Sequence, residues 1–330
     1  EYFNSLVTKP DIDIILDEVE GRKRNSFKGR KGEDVRLPTY NDREHVSGKI
    51  IINLNKAKKL EHMGIKVELI GAIEHHQDKK NVSRFIALTR DLEPPSTLTN
   101  DITQLSFKFT NVEKQYETYM GNNMQVRYYV LVTIATKTRT HSHEQEFGVI
   151  NPVYDEICST EKIKLEVGID DWLHLVFEVD RNKYHLKDCI EGFVKFKKVS
   201  IRLVSMELQI IKKETLIAGS NSKAETEVIT RYEIMDGAPT KNENIPIKWF
   251  LSPYELTPTY TSINNRLTVQ YFINLVLIDV EERRYFKQHE VLFLRLDKKL
   301  QQLMIKKKEE KEKEKEKEKE KEKEKEKDKE

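Results

Sequence analysis

The chain has 330 residues, enough for two domains with full cores. Its formal net charge of only +2 excludes the strong attraction to polyanions expected of a nucleic-acid-binding protein. Its two cysteines, Cys158 and Cys189, are too few for a disulfide framework or a cysteine-based zinc site and read as reduced thiols. Charged residues make up 35% of the chain, but the 25 positions from 306 to 330 are all Lys, Glu or Asp; without them the charge content is that of an ordinary globular protein.

In chain order, Ile12, Ile14 and Leu16 alternate with Asp13 and Asp17, which predicts a strand. No signal-peptide pattern precedes it, and no apolar run anywhere approaches the ~18 residues of a membrane span. Residues 20–45 are polar and hold Gly21, Gly29, Gly32 and Pro38, the pattern of a long loop or weak hairpin. Strands are predicted near 46–54, 64–75, 83–88, 103–113 and 124–137. The Asn81-Val82-Ser83 sequon would matter only in a secretory compartment. Residues 138–160 lose the alternation around Asn151-Pro152, so a linker is expected at 151–159 between domains at 1–150 and 160–297. Further on, Met206, Leu208 and Ile210 alternate with Glu207 and Gln209. The long apolar run 269–278 reads as a central strand, Glu281-Glu282-Arg283 as a turn, and 285–296 as the returning strand. Helical periodicity is nearly absent before Asp297, so the fold class is all-β. In the Lys/Glu-rich tail at 298–330, Lys and Glu alternate from Lys306 onward with no apolar face, which predicts a solvated, disordered segment.

One strand pattern occurs twice. Segments 48–52, 64–70, 105–109 and 127–132 recur in order as 192–196, 206–211, 245–250 and 270–276. Each copy opens on a glycine, and Gly48 to Arg127 spans 79 residues where Gly192 to Gln270 spans 78. Two such units predict tandem β-sandwiches and a binding scaffold.

Catalytic chemistry finds little support. His185-Leu186-Lys187-Asp188 is faintly like a kinase catalytic loop, but the magnesium-holding Asn expected five residues after the Asp is Phe193. His75-His76 and His141-Ser142-His143 have no carboxylate or cysteine cluster at metal-ligand spacing. Asp170-Asp171 and Glu281-Glu282 are adjacent pairs, which point to opposite faces on a strand and make poor acid/base partners. Neither an enzyme nor a cofactor or metal is expected.

A stronger signal lies at 228–239. Simple alternation puts Val228, Thr230, Tyr232 and Ile234 on one face and Ile229, Arg231, Glu233 and Met235 on the other. Met235 then ends the polar face just before Asp236-Gly237, a turn able to take positive φ. Such a Met is either an adaptable docking residue or local core beneath the loop, and spacing leaves both readings open.

Five segments go beyond pattern: Leu60-Glu61-His62-Met63-Gly64-Ile65-Lys66-Val67-Glu68, Tyr184-His185-Leu186-Lys187-Asp188, Met206-Glu207-Leu208-Gln209-Ile210-Ile211-Lys212-Lys213-Glu214, Tyr232-Glu233-Ile234-Met235-Asp236-Gly237-Ala238-Pro239 and Arg283-Arg284-Tyr285-Phe286-Lys287-Gln288. Together they closely resemble the small arrestin-like subunit of retromer, the vacuolar protein sorting 26 family, from about Asp11 to Leu296. The resemblance implies an arrestin-like fold of two β-sandwiches joined by a short linker, in a non-enzymatic protein of the cytosol that is recruited to endosomes. It implies that the second sandwich binds the large α-solenoid retromer subunit through Ile234 and Met235, just before Asp236 and Gly237. It also implies that phox-homology sorting nexins help form a pocket for hydrophobic cargo sorting motifs, lined here by Val167 and Phe286. Membrane association would then be indirect, through partners. Residues 22–45 depart from the family pattern, with the 41–45 loop one residue long; Trp249 replaces an aliphatic residue, and the Lys/Glu tail has no counterpart. A competing reading is an arrestin-clan adaptor that binds receptor tails or ubiquitin ligases, but Pro94-Pro95-Ser96-Thr97 lacks the Tyr of a ligase motif.

Overall fold

The structure, a computed structural model, describes residues 9–17, 22–28, 33–55, 59–76, 82–153, 161–169, 172–218 and 221–296. Asn81, Cys158, the Asp170-Asp171 pair, most of the expected linker and the charged tail lie outside the described residues. The described residues form strands, turns and loops without a helix, the all-β class expected from alternation. The chain divides into two compact units between Asn151 and Pro152.

The N-terminal unit runs β1 (Asp11–Leu16), β2 (Arg24–Lys28), β3 (Asp34–Tyr40), β4 (Val46–Asn53), β5 (Leu60–His62), β6 (Gly64–His75), β7 (Val82–Glu93), β8 (Ser96–Leu98), β9 (Ile102–Phe109), β10 (Tyr119–Met120), β11 (Met124–Ala135) and β12 (Thr140–Val149). One sheet has the order β1-β4-β9; the other has the order β2-β3-β12-β11-β6-β7, with β10 added to β11, and β5 pairs β8 separately. Alternation sends Ile12, Ile14, Ile50, Ile52, Phe107 and Phe109 from the first sheet into the core, where they meet Val67, Val130, Val132 and Ile134 from the second. The C-terminal unit runs β13 (Ile163–Ile169), β14 (Leu173–Val179), β15 (Lys183–His185), β16 (Cys189–Val199), β17 (Leu203–Ala218), β18 (Asn221–Asp236), β19 (Asn244–Phe250), β20 (Tyr260–Ile263), β21 (Leu267–Asp279) and β22 (Arg284–Leu294). Its sheets have the orders β13-β14-β16-β19 and β15-β22-β21-β17-β18, with β20 added to β21.

The repeat in sequence is a repeat in topology. The order β3-β12-β11-β6-β7 in the first unit matches β15-β22-β21-β17-β18 in the second, and β1-β4-β9 matches β14-β16-β19. The parallel strand pairings correspond too, β3 with β12 and β15 with β22. The glycine opening each copy has one physical cause. Gly48 of β4 lies opposite Leu16 of β1, and Gly192 of β16 lies opposite Val179 of β14. A Cβ at Gly48 would overlap the carbonyl oxygen of Ile15, and one at Gly192 would overlap that of Glu178. The strands cross too closely there for any side chain.

Of the two readings open for the polar stretch 20–45, the structure shows the hairpin, β2 with β3. One element differs from the sequence expectation. Residues 140–149, where alternation is lost, nevertheless form β12, paired with β11 along eight residues. Its exposed face is tied by charge instead of apolar packing: the Arg127 guanidinium lies 2.6 Å from both Glu144 and Glu146 and 3.2 Å from Glu74. Pairing to a neighbour, which no single-strand pattern records, makes this segment a strand.

The N-terminal unit also buries a lysine that composition does not flag. Lys114 Nζ donates to the carbonyls of Glu44 and Val112 at 2.8 Å each, and its backbone N–H donates to Asp42 Oδ1 at 2.7 Å. Burial pulls its pKa down to about 8, against the attraction of Asp42 and Glu44. The Asn151 side chain donates to the Lys114 carbonyl, so this cluster joins the 41–45 loop, the 110–118 loop and the end of the unit.

Candidate functional site: one end of the C-terminal unit

At one end of the C-terminal unit the last residues of β18 and β21 flank the first residues of β17. Ser205 is opposite Asp236 on one side, and Leu203 is opposite Asp279 on the other. The β17–β18 ladder is irregular here. Met206 pairs with Met235 and Glu207 with Glu233, so Ile234 is an extra residue without a partner on β17, a β-bulge. A second bulge farther along leaves Ile229 unmatched between the pairs Ile210–Thr230 and Ile211–Val228.

These bulges overturn the face assignment made from alternation alone. Residues directly opposite one another in an antiparallel pair share a face. Met235 therefore lies on the face of the fully buried Met206, with Tyr232 and Thr230, and not with Arg231 and Glu233. Val228 moves the other way: it joins the outer face and is exposed. Ile234 and Met235 are both half-buried. Gly237 follows with φ +105°, a conformation that favours glycine, and its N–H donates to the carbonyl of Val204 at 2.6 Å. Asp236 and Ala238 are exposed beside it.

The hairpin is fixed from beneath. Tyr232 stacks on Trp249 of β19 in the opposing sheet, with ring centroids 5.5 Å apart and planes 16° apart. Trp249 is itself buried and donates through Nε1 to the Tyr254 hydroxyl at 3.1 Å. Trp249 is thus a core residue that anchors this strand.

The neighbouring β21–β22 turn is braced by one carboxylate. Asp279 Oδ1 accepts from the N–H groups of Glu281 and Arg283, and Oδ2 accepts from Arg283 Nε at 2.8 Å and the Tyr285 hydroxyl at 2.9 Å. Burial works against its charge, but these hydrogen bonds, led by that of Arg283, outweigh it and hold its pKa at about 2. Glu281 and Glu282 are exposed turn residues, Glu282 at φ 61°.

Val167 and Phe286 come from elements packed on each other, β13 and β22, but they do not share a face. Val167 follows Ile163 and Leu165 on the buried side of β13. Phe286 is opposite Val276 and 69% exposed. Since Val276 is also opposite Glu207, Phe286 lies on the outer face of the larger sheet. Between them runs an open edge: β22 pairs with β15 only over Leu292–Leu294, and among the described residues no strand pairs that edge from Arg284 to Val291.

The remaining candidates have structural surroundings. His76 Nε2 lies 3.0 Å from the Gly121 carbonyl, and His141 is buried, its pKa lowered by burial and by Arg139. Asp188 accepts from Arg181 at 2.8 Å. Among the described residues no three His, Cys, Asp or Glu side chains are grouped to hold a metal ion. Pro94-Pro95 leads into β8, paired with β5. Among the described residues no helix is long and apolar enough to cross a membrane.

Two surface residues escape sequence reasoning. Val204 is a bulge residue between the pairs Leu203–Asp279 and Ser205–Ile278, and Val280 follows Asp279 in the turn; both are exposed. An apolar residue inside the otherwise charged stretch Asp279-Val280-Glu281-Glu282-Arg283 was the one legible signal.

A family model described as vacuolar protein sorting-associated protein 26 matches residues 6–282. The chain is 45% identical over 287 residues to vacuolar protein sorting-associated protein 26B of Mus musculus, covering 86% of this chain and 84% of that one. The Homo sapiens 26B protein gives the same identity and coverage. A 26B-like protein of Danio rerio is 43% identical over 295 residues, 89% of each chain.

Proposed function

The chain belongs to the vacuolar protein sorting-associated protein 26 family, and on that footing we propose that it is the non-catalytic, arrestin-like subunit of a retromer-type sorting complex. It works in the cytosol at the endosome surface, in retrieval to the Golgi or plasma membrane. It has two tasks. The end of the C-terminal sandwich docks the large α-solenoid subunit through Ile234, Met235, Asp236 and Gly237. With phox-homology sorting nexins, the same sandwich holds cargo tails.

The observation that carries the first task is the bulge at Ile234. A bulge at the end of an edge strand ends regular pairing and re-aims a side chain, a common device beside binding sites. Ile234 and Met235 are half-buried, so each keeps apolar surface for a partner while its backbone is held in place. The Tyr232–Trp249 stack supports this reading, since a tip already ordered loses little freedom on binding.

For the second task, an extended cargo segment that reaches both Val167 and Phe286 must run along the open edge of β22. There its backbone can pair with Arg284–Val291 while a large apolar side chain covers Phe286, the mode of strand addition to a sheet edge. A nexin would close the groove from outside.

The test is Ile234→Asp combined with Met235→Asn, assayed by calorimetric titration against the solenoid subunit. Loss of binding is expected with far-UV circular dichroism unchanged, since central apolar anchors contribute about 2 kcal/mol or more each. Wild-type affinity in a folded double variant would sink the assignment.

A further inference from the structure

Val204 and Val280 stand beside the proposed docking tip and have no role in the core. Val204 is 43% exposed and Val280 58% exposed, in a region whose other large apolar residues are mostly buried. Both are held in position by backbone. The Val204 carbonyl accepts from the Gly237 N–H at 2.6 Å, and the Val280 N–H donates to the Arg202 carbonyl at 3.1 Å. The four hydrogen bonds to the Asp279 carboxylate fix the turn that displays Val280.

The register places these residues in one line. Across the end of the sheet the order is the close of β21, the start of β17 and the close of β18. Val280, Val204 and the Ile234–Met235 pair follow one another along it. Two of the four, Val204 and Ile234, are bulge residues on adjacent strands at the same end. Bulges disrupt pairing and re-aim side chains, so two of them carrying partly exposed apolar residues at one end of adjacent strands are explained by what they display and not by the sheet they interrupt.

We infer that Val204 and Val280 extend the docking surface, so that the partner meets an apolar strip along the end of the sheet instead of a two-residue tip. This rests on the reading of Ile234 and Met235 as the solenoid interface and adds the residues that complete it. The occupant is a protein surface, an apolar ridge of the helical solenoid, and not a lipid headgroup layer. The strip is rimmed by both signs, with Asp236, Glu281 and Glu282 exposed near Arg202 and Arg284. Arg283 is engaged by Asp279 and Glu281. An anionic membrane calls for a basic rim; a mixed rim suits a protein partner.

The experiment titrates the full chain and its variants against the solenoid subunit by calorimetry, with flotation on vesicles containing 20% phosphatidylserine as a parallel arm. Val204→Asp with Val280→Asp is expected to weaken solenoid binding about tenfold or more. Val280→Lys alone, on an exposed turn, should weaken it severalfold with an unchanged melting temperature, which keeps the test valid if the double variant misfolds. Unchanged affinity in folded Val280→Lys and Val204→Asp/Val280→Asp, while Ile234→Asp/Met235→Asn abolishes binding, would overturn this inference and leave the smaller interface standing. Unchanged affinity in Ile234→Asp/Met235→Asn would overturn the underlying reading itself. Vesicle binding that Val280→Lys alters, with solenoid affinity unchanged, would likewise overturn the inference.

Discussion

Tyr232 near the end of β18 lies almost parallel to Trp249 of β19, planes 16° apart and centroids 5.5 Å apart, and so ties the two sheets of the C-terminal unit together two residues before Ile234 on the same strand. The proposed docking tip is an extension of the core. On that proposal, stability and partner binding at this end are coupled, and each substitution must be read on both scales.

Trp249 tests that coupling from the core side. Trp249→Ala should destabilise the protein by about 3–5 kcal/mol, the range for a large aromatic removed from a packed interior. Trp249→Leu should cost less. Chemical denaturation followed by tyrosine emission reads both; a change below about 1 kcal/mol for the alanine variant would mean that the stack does not hold the sheets.

The two opening glycines should behave alike. Gly48→Ala and Gly192→Ala each push a methyl group into a neighbouring strand's carbonyl oxygen, Ile15 in one case and Glu178 in the other. Overpacking of this kind costs about 1–3 kcal/mol. Thermal melts of the two single variants check it, and a neutral result at either position would refute the close-crossing account there.

Lys114 predicts a pH dependence with a definite sign. Its folded pKa of about 8 lies below the usual lysine value of 10.5, so in that window the unfolded chain binds more protons than the folded one. Stability contributed by this site should rise as pH rises from about 8 to 10.5. Subtracting the Lys114→Met variant removes the background from other groups. A difference that stays flat or falls across that range would contradict the buried-charge assignment.

Asp279 predicts the opposite end of the scale. Its folded pKa, held at about 2, lies below the ordinary 3.8, so its contribution is complete above about pH 4 and is lost as pH falls towards 2. Asp279→Asn should flatten the acid limb of the stability curve. Its absence from the acid limb in the wild type would show that the turn is held by other groups.

Phe286 and Val167 should separate binding from folding. Phe286→Ala removes an exposed ring and is expected to change stability by less than about 0.5 kcal/mol. Val167→Ala removes core volume and should cost about 1 kcal/mol or more. Fluorescence anisotropy with a labelled hydrophobic cargo peptide, in the presence of a phox-homology nexin, should show both variants weakened. Full cargo affinity in Phe286→Ala would remove it from the groove.

Much of this was legible in the residues. The duplicated pattern carried both sandwiches, because each copy must bury one face of the same strands and hydrophobic alternation records that need directly. The glycines marking each copy were visible before their cause was. Strand β12 was not legible, since Arg127 with Glu144 and Glu146 does on its outer face what apolar residues do elsewhere. Val204 was hidden for another reason: nothing in Leu203-Val204-Ser205 marks the middle residue as unpaired.

By itself, then, the sequence determined the all-β class and the twofold repeat and, through its motifs, marked Ile234 and Met235 as a candidate site. Only the tertiary structure decided which way those side chains face. Alternation assigns a face only while pairing stays in step, and one extra residue on one strand reverses every assignment beyond it. Whether β18 carries that extra residue at Ile234 depends on what β17 offers opposite, a property of two strands together that neither contains alone.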